Sequence, residues 1–188
     1  MKTTIRVALG LLTLALWIWP THRSLAAFDA FLKIDGIPGE STDAAHKNEI
    51  EVLSWSWGMS QSGSALLGPG VTNKAAFKDI SITKHVDKAS PQLFQACAGG
   101  TNIAQVELVL RYPGGTNQVE YLKVKLENVL VSSVKTSGTS SSGDVLPLEE
   151  VSFNYGKLRM TYQAVDQSGA PSGLPVLGSW DIVANKGW

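Results

Sequence analysis

Apolar and polar residues alternate with a period of two along most of the chain after residue 27, a pattern typical of β-strands. The clearest example is the segment from Glu49 to Ser62. One face of this segment consists of Leu53, Trp55, Trp57 and Met59. We predict that 49–60 is a strand and that this large apolar face fills a core, because two tryptophans on one face must be covered by other residues.

The same alternation predicts further strands, and frequent turn residues separate them. They fall at 28–34, 77–84, 103–112, 119–126, 127–135, 149–165 and 176–183. The strands follow one another too closely for the crossover connections of a parallel sheet. We therefore predict a mainly β protein, built as an antiparallel barrel or sandwich.

One short helix is predicted at about 91–98. Ser90 suits the N-cap, Pro91 suits the first helical position, and Gly99-Gly100 ends the segment. Leu93, Phe94 and Cys97 lie at helical spacing, and we predict that they form the face that packs on the core.

The first 27 residues have the layout of a secretory signal. A basic start is followed by an apolar run at 7–19 and by small residues at 24–27. The run is shorter than the ~20 residues that a membrane-spanning helix needs. We predict removal of 1–27 and a single domain at 28–188. An uncleaved anchor, with Trp17 and Trp19 at the membrane interface, is the alternative.

Charge and cysteine content narrow the class of protein. The chain has 16 basic and 16 acidic residues; without Lys2, Arg6 and Arg23 the remainder has 13 basic and 16 acidic, a net charge of −3. No basic stripe remains, which argues against a nucleic-acid partner. After signal removal no second long apolar run is left to bind a membrane. Cys97 is the single cysteine, so an intramolecular disulfide is excluded, and we predict a small buried apolar residue there.

The residues offer little for catalysis. His46 and His85 lack the spacing of a metal site, and no Gly-x-Ser-x-Gly elbow is present. Glu149 and Glu150 would point to opposite faces of a strand. We predict no catalytic, cofactor-binding or metal-binding residues, no cofactor and no enzyme activity. The tryptophans 55, 57, 180 and 188 leave two interpretations, stacking on sugars or core and interface packing, and packing is the commoner use.

Several stretches together resemble the Hcp family, the haemolysin-coregulated tube proteins of bacterial type VI secretion. They include the motifs Asp35-Gly36-Ile37-Pro38-Gly39 and Ser54-Trp55-Ser56-Trp57-Gly58. The matching stretches are 30–41, 51–60, 81–91, 118–122 and 130–134. They occur in the family's order and at its separations, and the resemblance covers essentially residues 28–185.

This resemblance implies a barrel of two packed antiparallel sheets with one flanking helix, and a structural protein that is not an enzyme. It also implies a homohexameric ring, stacking of rings into a tube, and spike, sheath and effector proteins as partners. The expected lumen-facing residues are Ser54, Ser56 and Ser60. The expected ring or stacking contacts are Leu66, Leu67, Ile37 and Pro38.

The signal-like segment is a departure from the family, whose members usually begin directly at the first strand. We expect a secreted protein, with the periplasm as a destination of the signal. The alternative function is an exported Hcp-like binding module that no longer assembles into a tube.

Overall fold

The computed structural model describes residues 28–62, 74–112, 118–138 and 146–188. In chain order its elements are β1 (Asp29–Ile34), β2 (Ile50–Glu51), β3 (Ser54–Ser56), β4 (Met59–Ser60), β5 (Ala76–Phe77), β6 (Ile80–His85), α1 (Ser90–Gly99), β7 (Ile103–Arg111), β8 (Glu120–Ser137), β9 (Leu148–Tyr162) and β10 (Val176–Asp181). A search of these residues found no helix with the length and apolar character needed to cross a membrane. The predicted signal segment at 1–27 lies outside the described residues.

The main sheet is antiparallel throughout and has the strand order β2-β1-β7-β8-β9-β6-β3, with β10 added to β9. Strands β4 and β5 form a separate two-stranded sheet. The prediction of a mainly β, barrel-like fold with one flanking helix is confirmed.

Consecutive residues of one segment join the two ends of the main sheet. The backbone N–H of Val52 donates to the carbonyl of Ala30 in β1 over 2.9 Å. The next N–H, of Leu53, donates to the carbonyl of Thr83 in β6 over 2.8 Å. Because neighbouring backbone groups of an extended chain point to opposite sides, one short segment bonds to both edges and closes the curled sheet.

The core consists of the inward-facing residues of the strands and of one side of α1. Ile80 and Ile82 of β6 and Val151 and Phe153 of β9 are almost completely buried. Full burial of each such side chain stabilises the fold by about 1.5–3 kcal/mol. Strand alternation therefore positions the opposite face of these strands, which is polar, at the surface.

The segment 49–60, predicted as one strand, is three short strands, and part of its predicted core face is wrong. Trp55 and Trp57 pack against the core, but Leu53 and Met59 are 49% and 51% exposed. The reason is that the segment leaves β1 for β6 at residues 52–53 and then leaves the main sheet at β4. A period of two persists on one face only while a strand keeps the same neighbours.

A second correction concerns the strands predicted at 119–126 and 127–135, which are one strand, β8. Asn128 has a positive φ of 54°, and a register shift lies between Val131 and Ser133. Such a bulge bends a strand without ending it. The long β8 therefore pairs with β7 through its first half and with β9 along nearly its whole length.

Helix α1 begins one residue earlier than predicted, with Ala89 at the N-cap and Pro91 in the first turn. Gly100 ends it in the left-handed region at φ 59°, as expected for a glycine at this position. Leu93 and Ala96 are buried and Cys97 packs against the core, but Phe94 is 65% exposed. The prediction for Phe94 is wrong because one residue of helix turns the side chain away from the Leu93 face.

Candidate functional site

Four serines lie side by side across four strands of the outer face of the sheet. Ser56 of β3 is opposite Ser81 of β6, Ser81 is opposite Ser152 of β9, and Ser152 is opposite Ser133 of β8. The hydroxyls of Ser81 and Ser152 are 2.8 Å apart and hydrogen-bonded. These residues alternate with buried neighbours such as Ile82 and Val151, so their side chains point away from the core.

A second polar row lies directly beside the first and crosses the same four strands. It consists of Ser54, Thr83, Glu150 and Lys135. Asp79 lies at the border of this surface, where it accepts hydrogen bonds from Ser132 (2.5 Å) and from Asn154 (2.9 Å). The two rows form a surface, here called the serine wall, on which no side chain of either row is apolar.

The structure brings together only some of the residues predicted from the sequence. Ser54 and Ser56 belong to the serine wall, whereas Ser60, also exposed, belongs to the separate sheet of β4 and β5. Pro38 is exposed, but Ile37 is 9% exposed and belongs to the core of its own subunit, which leaves little of it for a contact with another copy. Leu66 and Leu67 lie outside the described residues.

An apolar patch that the sequence analysis did not identify lies at the β9–β10 end of the sheet. One core-facing row runs through Ala30, Leu110, Leu122, Tyr162 and Val176. Ala30 and Leu110 are buried, whereas Tyr162 and Val176 are 47% and 67% exposed. The layer that fills the core in β1 and β7 therefore continues uncovered onto β10. Exposed Leu174 precedes β10 and exposed Leu177 lies on the opposite face of the strand from Val176, and we call these four exposed residues the β10 patch.

A buried ionic cluster joins β6, β9 and the start of α1. The Lys84 ammonium lies 2.7 Å from an Asp87 carboxylate oxygen, 3.1 Å from Glu149 and 3.0 Å from the Ser90 hydroxyl. Ser90 in turn donates to Glu149 over 2.8 Å. Lys84 and Glu149 are almost completely buried, so the charges are compensated internally and a substrate could not reach them.

The sequence did contain a signal for this cluster. Ile80, Ile82 and Lys84 share one face of a predicted strand, so Lys84 occupies a position that the alternation assigns to the core. A lysine on a core face indicates a buried carboxylate partner. Glu149 is that partner, and Glu150 is exposed on the opposite side of β9, as predicted for adjacent residues of a strand.

A second cluster fixes the loop before β2 to the barrel. The Arg111 guanidinium pairs with Asp29 and with Asp43, each at 2.8 Å, and also lies over the Phe31 ring. The His46 ring stacks on the same phenyl ring, with centroids 4.2 Å apart. Since Asp43 and His46 both belong to the loop and Arg111 belongs to β7, these contacts tie the loop to the sheet.

The charges of this cluster shift each other's protonation. Burial alone would raise the pKa of Asp43, but its bonds to Arg111 and to the amides of Ala45 and His46 hold that pKa below its usual range. Burial acts to lower the pKa of Arg111, and the two carboxylates outweigh it and raise that pKa. Both groups are therefore held in their charged forms.

Within the described ranges, no group of three or more histidine, cysteine, aspartate or glutamate side chains could hold a metal ion. Trp55 and Trp57 pack against the core, and the Trp57 indole donates to the Tyr155 hydroxyl. These two rings are therefore used for packing and not as an exposed platform for sugars.

Comparison with known proteins identifies the family. Residues 31–162 match the family described as "Type VI secretion system effector, Hcp". The chain is 46% identical over 160 residues to Protein hcp1 of Pseudomonas aeruginosa, a match that covers 85% of the chain and 98% of that relative. A weaker relative, the "Major exported protein" of the same organism, is 29% identical over 104 residues.

Solved structures agree with this assignment. The crystal structure of Hcp1 from Salmonella typhimurium is 38% identical, with a TM-score of 0.72 over 87% of this chain and 100% of that one. A second structure, of a type six secretion system protein, is 33% identical, with a TM-score of 0.79 over 86% of this chain and 100% of that one. The chain belongs to the Hcp family of type VI secretion, a family of ring-forming, secreted tube proteins that are structural and not enzymes.

Proposed function

We propose that residues 28–188 of this chain form a homohexameric ring, that the rings stack into a tube, and that the ring lumen carries effector proteins. The sheath and spike of a type VI apparatus are the further partners. The observation that carries the proposal is the serine wall, an extended polar surface that crosses four strands of this chain. The chain belongs to a family whose members form rings, so such a surface has a natural place inside one.

The serine wall suits a lumen that must release its cargo. Its serines and threonine are small, so they leave the surface smooth, and they remain hydrated when a protein passes. A cargo that binds such a surface gains little from apolar burial and can leave again. We propose that Ser54 and Ser56 face the lumen directly and that Ser60 lies at its margin.

The β10 patch suits a contact between neighbouring subunits. It continues the apolar layer of the core to a place where nothing in the same subunit covers Tyr162 and Val176. A closed ring uses one such patch per subunit against a different surface of the next copy. Pro38, Leu66 and Leu67 remain proposed ring or stacking contacts.

The mass of residues 28–188 in solution tests ring assembly, because this segment contains every strand and helix described above. We expect a hexameric mass by light scattering at micromolar concentration and rings by electron microscopy. Val176→Lys should yield folded monomers, because it places a charge in the β10 patch. Phe94→Lys, at an equally exposed position of α1, should still form rings.

A monomeric mass for the unaltered protein, with no rings, would contradict the ring and would favour the exported binding module. Binding of glycans and peptides by that module would then be tested by the quenching of tryptophan fluorescence. If Val176→Lys still forms rings, the contact between subunits does not lie at β10.

Accessibility to a bulky thiol reagent tests which surface faces the lumen. In a Cys97→Ser background, Ser56→Cys should react more slowly with a polymer-linked maleimide in rings than in monomers. Ser168→Cys, in an exposed turn outside the serine wall, should react equally in both states. Equal protection of the two cysteines would show that the serine wall is not the lumen.

We further propose that residues 1–27 direct export and are then removed. The support is the order of basic, apolar and small residues in this segment. The test is the N-terminal mass of the native protein together with its compartment. A start at Ala27 or Phe28 outside the cytoplasm is expected, and an intact Met1 on a cytoplasmic protein would refute the proposal.

A further inference from the structure

Residues 182–188 turn back after β10 and lie along its outer edge. We call them the C-terminal strap. Asp181 and Lys186 exchange two backbone hydrogen bonds, of 2.8 and 3.2 Å. The turn between them is held by the Asp181 carboxylate, which accepts from the Ala184 N–H over 2.7 Å, and by Asn185 at φ 52°. The strap therefore begins as a tight hairpin on the last residue of the strand.

The remainder of the strap continues along the strand towards Ser179. The Ser179 hydroxyl donates to the main-chain oxygen of Trp188, and Gly187 lies beside the Ser179 carbonyl, where an added Cβ would be in ordinary van der Waals contact at 3.4 Å. The Trp188 ring lies over the side chains of Arg159 and Lys157 of β9, at 5.2 and 5.6 Å. Its aromatic face and these cations attract each other, which anchors the end of the strap.

The strap occupies a row of backbone groups that can pair with another strand. In an antiparallel strand, successive residues direct their N–H and C=O groups to alternate sides. Asp181 directs its groups to the strap, whereas the N–H of Ile182 donates to Gly156 at the side of β9. Ser179 and Leu177 must therefore also present their backbone groups to the outer edge. The strap covers this edge at 179–181 and leaves it uncovered at the exposed Leu177.

We propose that the C-terminal strap is an exchangeable cover of the β10 edge, and that a strand of a second copy of this chain displaces it during assembly. Uncovered strand edges pair readily with other chains, and proteins commonly cover them. The strap is held by few contacts. They are one pair of backbone hydrogen bonds, the Asp181–Ala184 bond within the turn, the Ser179 hydroxyl bond and the half-exposed Trp188 ring over Lys157 and Arg159. A longer strand from another copy would replace these bonds and add more.

The second copy is the favoured occupant because the edge is continuous with the β10 patch. Val176 and Leu177 are neighbours on opposite faces of one strand, so a strand that pairs at Leu177 also covers part of the patch. This inference rests on the proposed ring. In it, the strap of a subunit and a strand of the neighbouring subunit compete for the same β10 edge.

The test uses two variants at Lys186, made in residues 1–188. Lys186→Pro removes the N–H that donates to Asp181 and constrains the residue before it, so the strap should detach. Lys186→Ala removes the same charge but keeps both backbone hydrogen bonds. Amide hydrogen exchange at Asp181, measured at concentrations below assembly, reports whether the strap is attached.

We expect Lys186→Pro to speed exchange at Asp181 and to lower the protein concentration at which half of the subunits assemble by about fivefold, the factor for one net hydrogen bond. Lys186→Ala should leave both quantities unchanged. Faster exchange with unchanged assembly would overturn the proposal, and weaker assembly would show instead that the strap is part of the contact. Unchanged exchange would show that the strap does not cover the edge.

The outcomes for the ring and for the strap can be separated. If the unaltered protein forms no rings but Lys186→Pro associates, the result supports the proposal for the strap and refutes the proposal that the unaltered protein forms a ring. If neither protein associates, both proposals fail.

Discussion

The indole Nε1 of Trp57 donates a hydrogen bond of 2.5 Å to the hydroxyl of Tyr155, a residue 98 positions further along the chain. That hydroxyl in turn donates to the carbonyl of Lys78 over 3.1 Å. The chain of bonds ties the segment that closes the barrel to the longest strand pair of the fold. Loss of these hydrogen bonds should therefore lower the free energy of unfolding of the whole domain.

Trp57→Phe should lower the free energy of unfolding by about 1–3 kcal/mol, because the buried Tyr155 oxygen loses its donor while the aromatic packing is mostly kept. Urea unfolding followed by circular dichroism measures the change. Trp188→Phe, at a half-exposed position, should leave the free energy of unfolding almost unaltered. Equal effects of the two substitutions would contradict the stabilising role of the Trp57–Tyr155 bond.

The Tyr155 hydroxyl should ionise only in strong alkali. Burial raises its pKa to about 12, the Trp57 bond opposes this, and the charge of Asp79 adds to it. Because the folded pKa lies above the unfolded value of about 10, the stability that the neutral hydroxyl contributes is complete below pH 10 and is lost between about pH 10 and 12. The loss is on the order of a few kcal/mol. Tyrosinate absorbance should show a late step that Tyr155→Phe removes; a step at an ordinary pH would refute this.

Lys84→Met should destabilise the fold by about 3–5 kcal/mol, because it leaves the buried Glu149 carboxylate without its cation. The double variant Lys84→Met/Glu149→Leu should recover part of this loss, since the most deeply buried carboxylate is removed together with the cation and Asp87 keeps its bond from the Ala89 N–H. Lys123→Met, at an exposed position beside Glu120, should cost less than about 1 kcal/mol. Thermal or urea unfolding of the three variants measures these differences. A double variant no better than Lys84→Met would contradict the ionic explanation.

The residues that alternation identified and those that it missed differ in a physical way. Alternation predicted a strand at 77–84, and Ile80 and Ile82 within it share the buried face because a regular strand repeats its environment every two residues. It misassigned Leu53 because the partner strand changes there, and the pairing of Val52 with β1 and of Leu53 with β6 is a property of the folded chain. A single sequence records the period of a strand and not its neighbours.

The serine wall was predictable only in part for the same reason. Ser54 and Ser56 were identified on the polar face of one segment, but their alignment with Ser81, Ser152 and Ser133 depends on the register of three strand pairs. One of those registers passes through the bulge in β8, which shifts the pairing by a residue. The family resemblance predicted the ring but gave no indication of the β10 patch.

Gly39 is the position in the loop before β2 where a side chain is least tolerable. A Cβ there would lie 2.3 Å from the backbone carbonyl oxygen of Glu49, so Gly39→Ala must push two backbone segments apart. We expect a loss of about 2–3 kcal/mol in the free energy of unfolding. Gly58→Ala, where a Cβ meets nothing within 4 Å, should change stability by less than about 1 kcal/mol. Similar unfolding midpoints for the two variants would refute the close approach at Gly39.

Asp43 should make the domain sensitive to acid. Its folded pKa is lowered despite burial, because Arg111 and two backbone amides bond to the charged carboxylate. A lowered folded pKa means that the stabilisation is present above the unfolded value of 3.8 and is lost as the pH falls through the folded value. Asp43→Asn should therefore lower the free energy of unfolding at neutral pH. On acidification, the free energy of unfolding of this variant should fall by less than that of the unaltered protein. Urea unfolding at neutral pH and at about pH 3 measures both quantities.

The partner of Asp43 provides the control. In an Arg111→Met background the carboxylate has lost the charge that bonds to it, so adding Asp43→Asn should change the acid sensitivity much less than it does in the unaltered protein. Because His46 and Asp43 belong to the same loop, detachment of the loop should also expose the stacked Phe31 ring. An acid sensitivity that Asp43→Asn leaves unchanged in both backgrounds would assign the effect to other carboxylates and would remove the Asp43–Arg111 pair as the anchor of the loop.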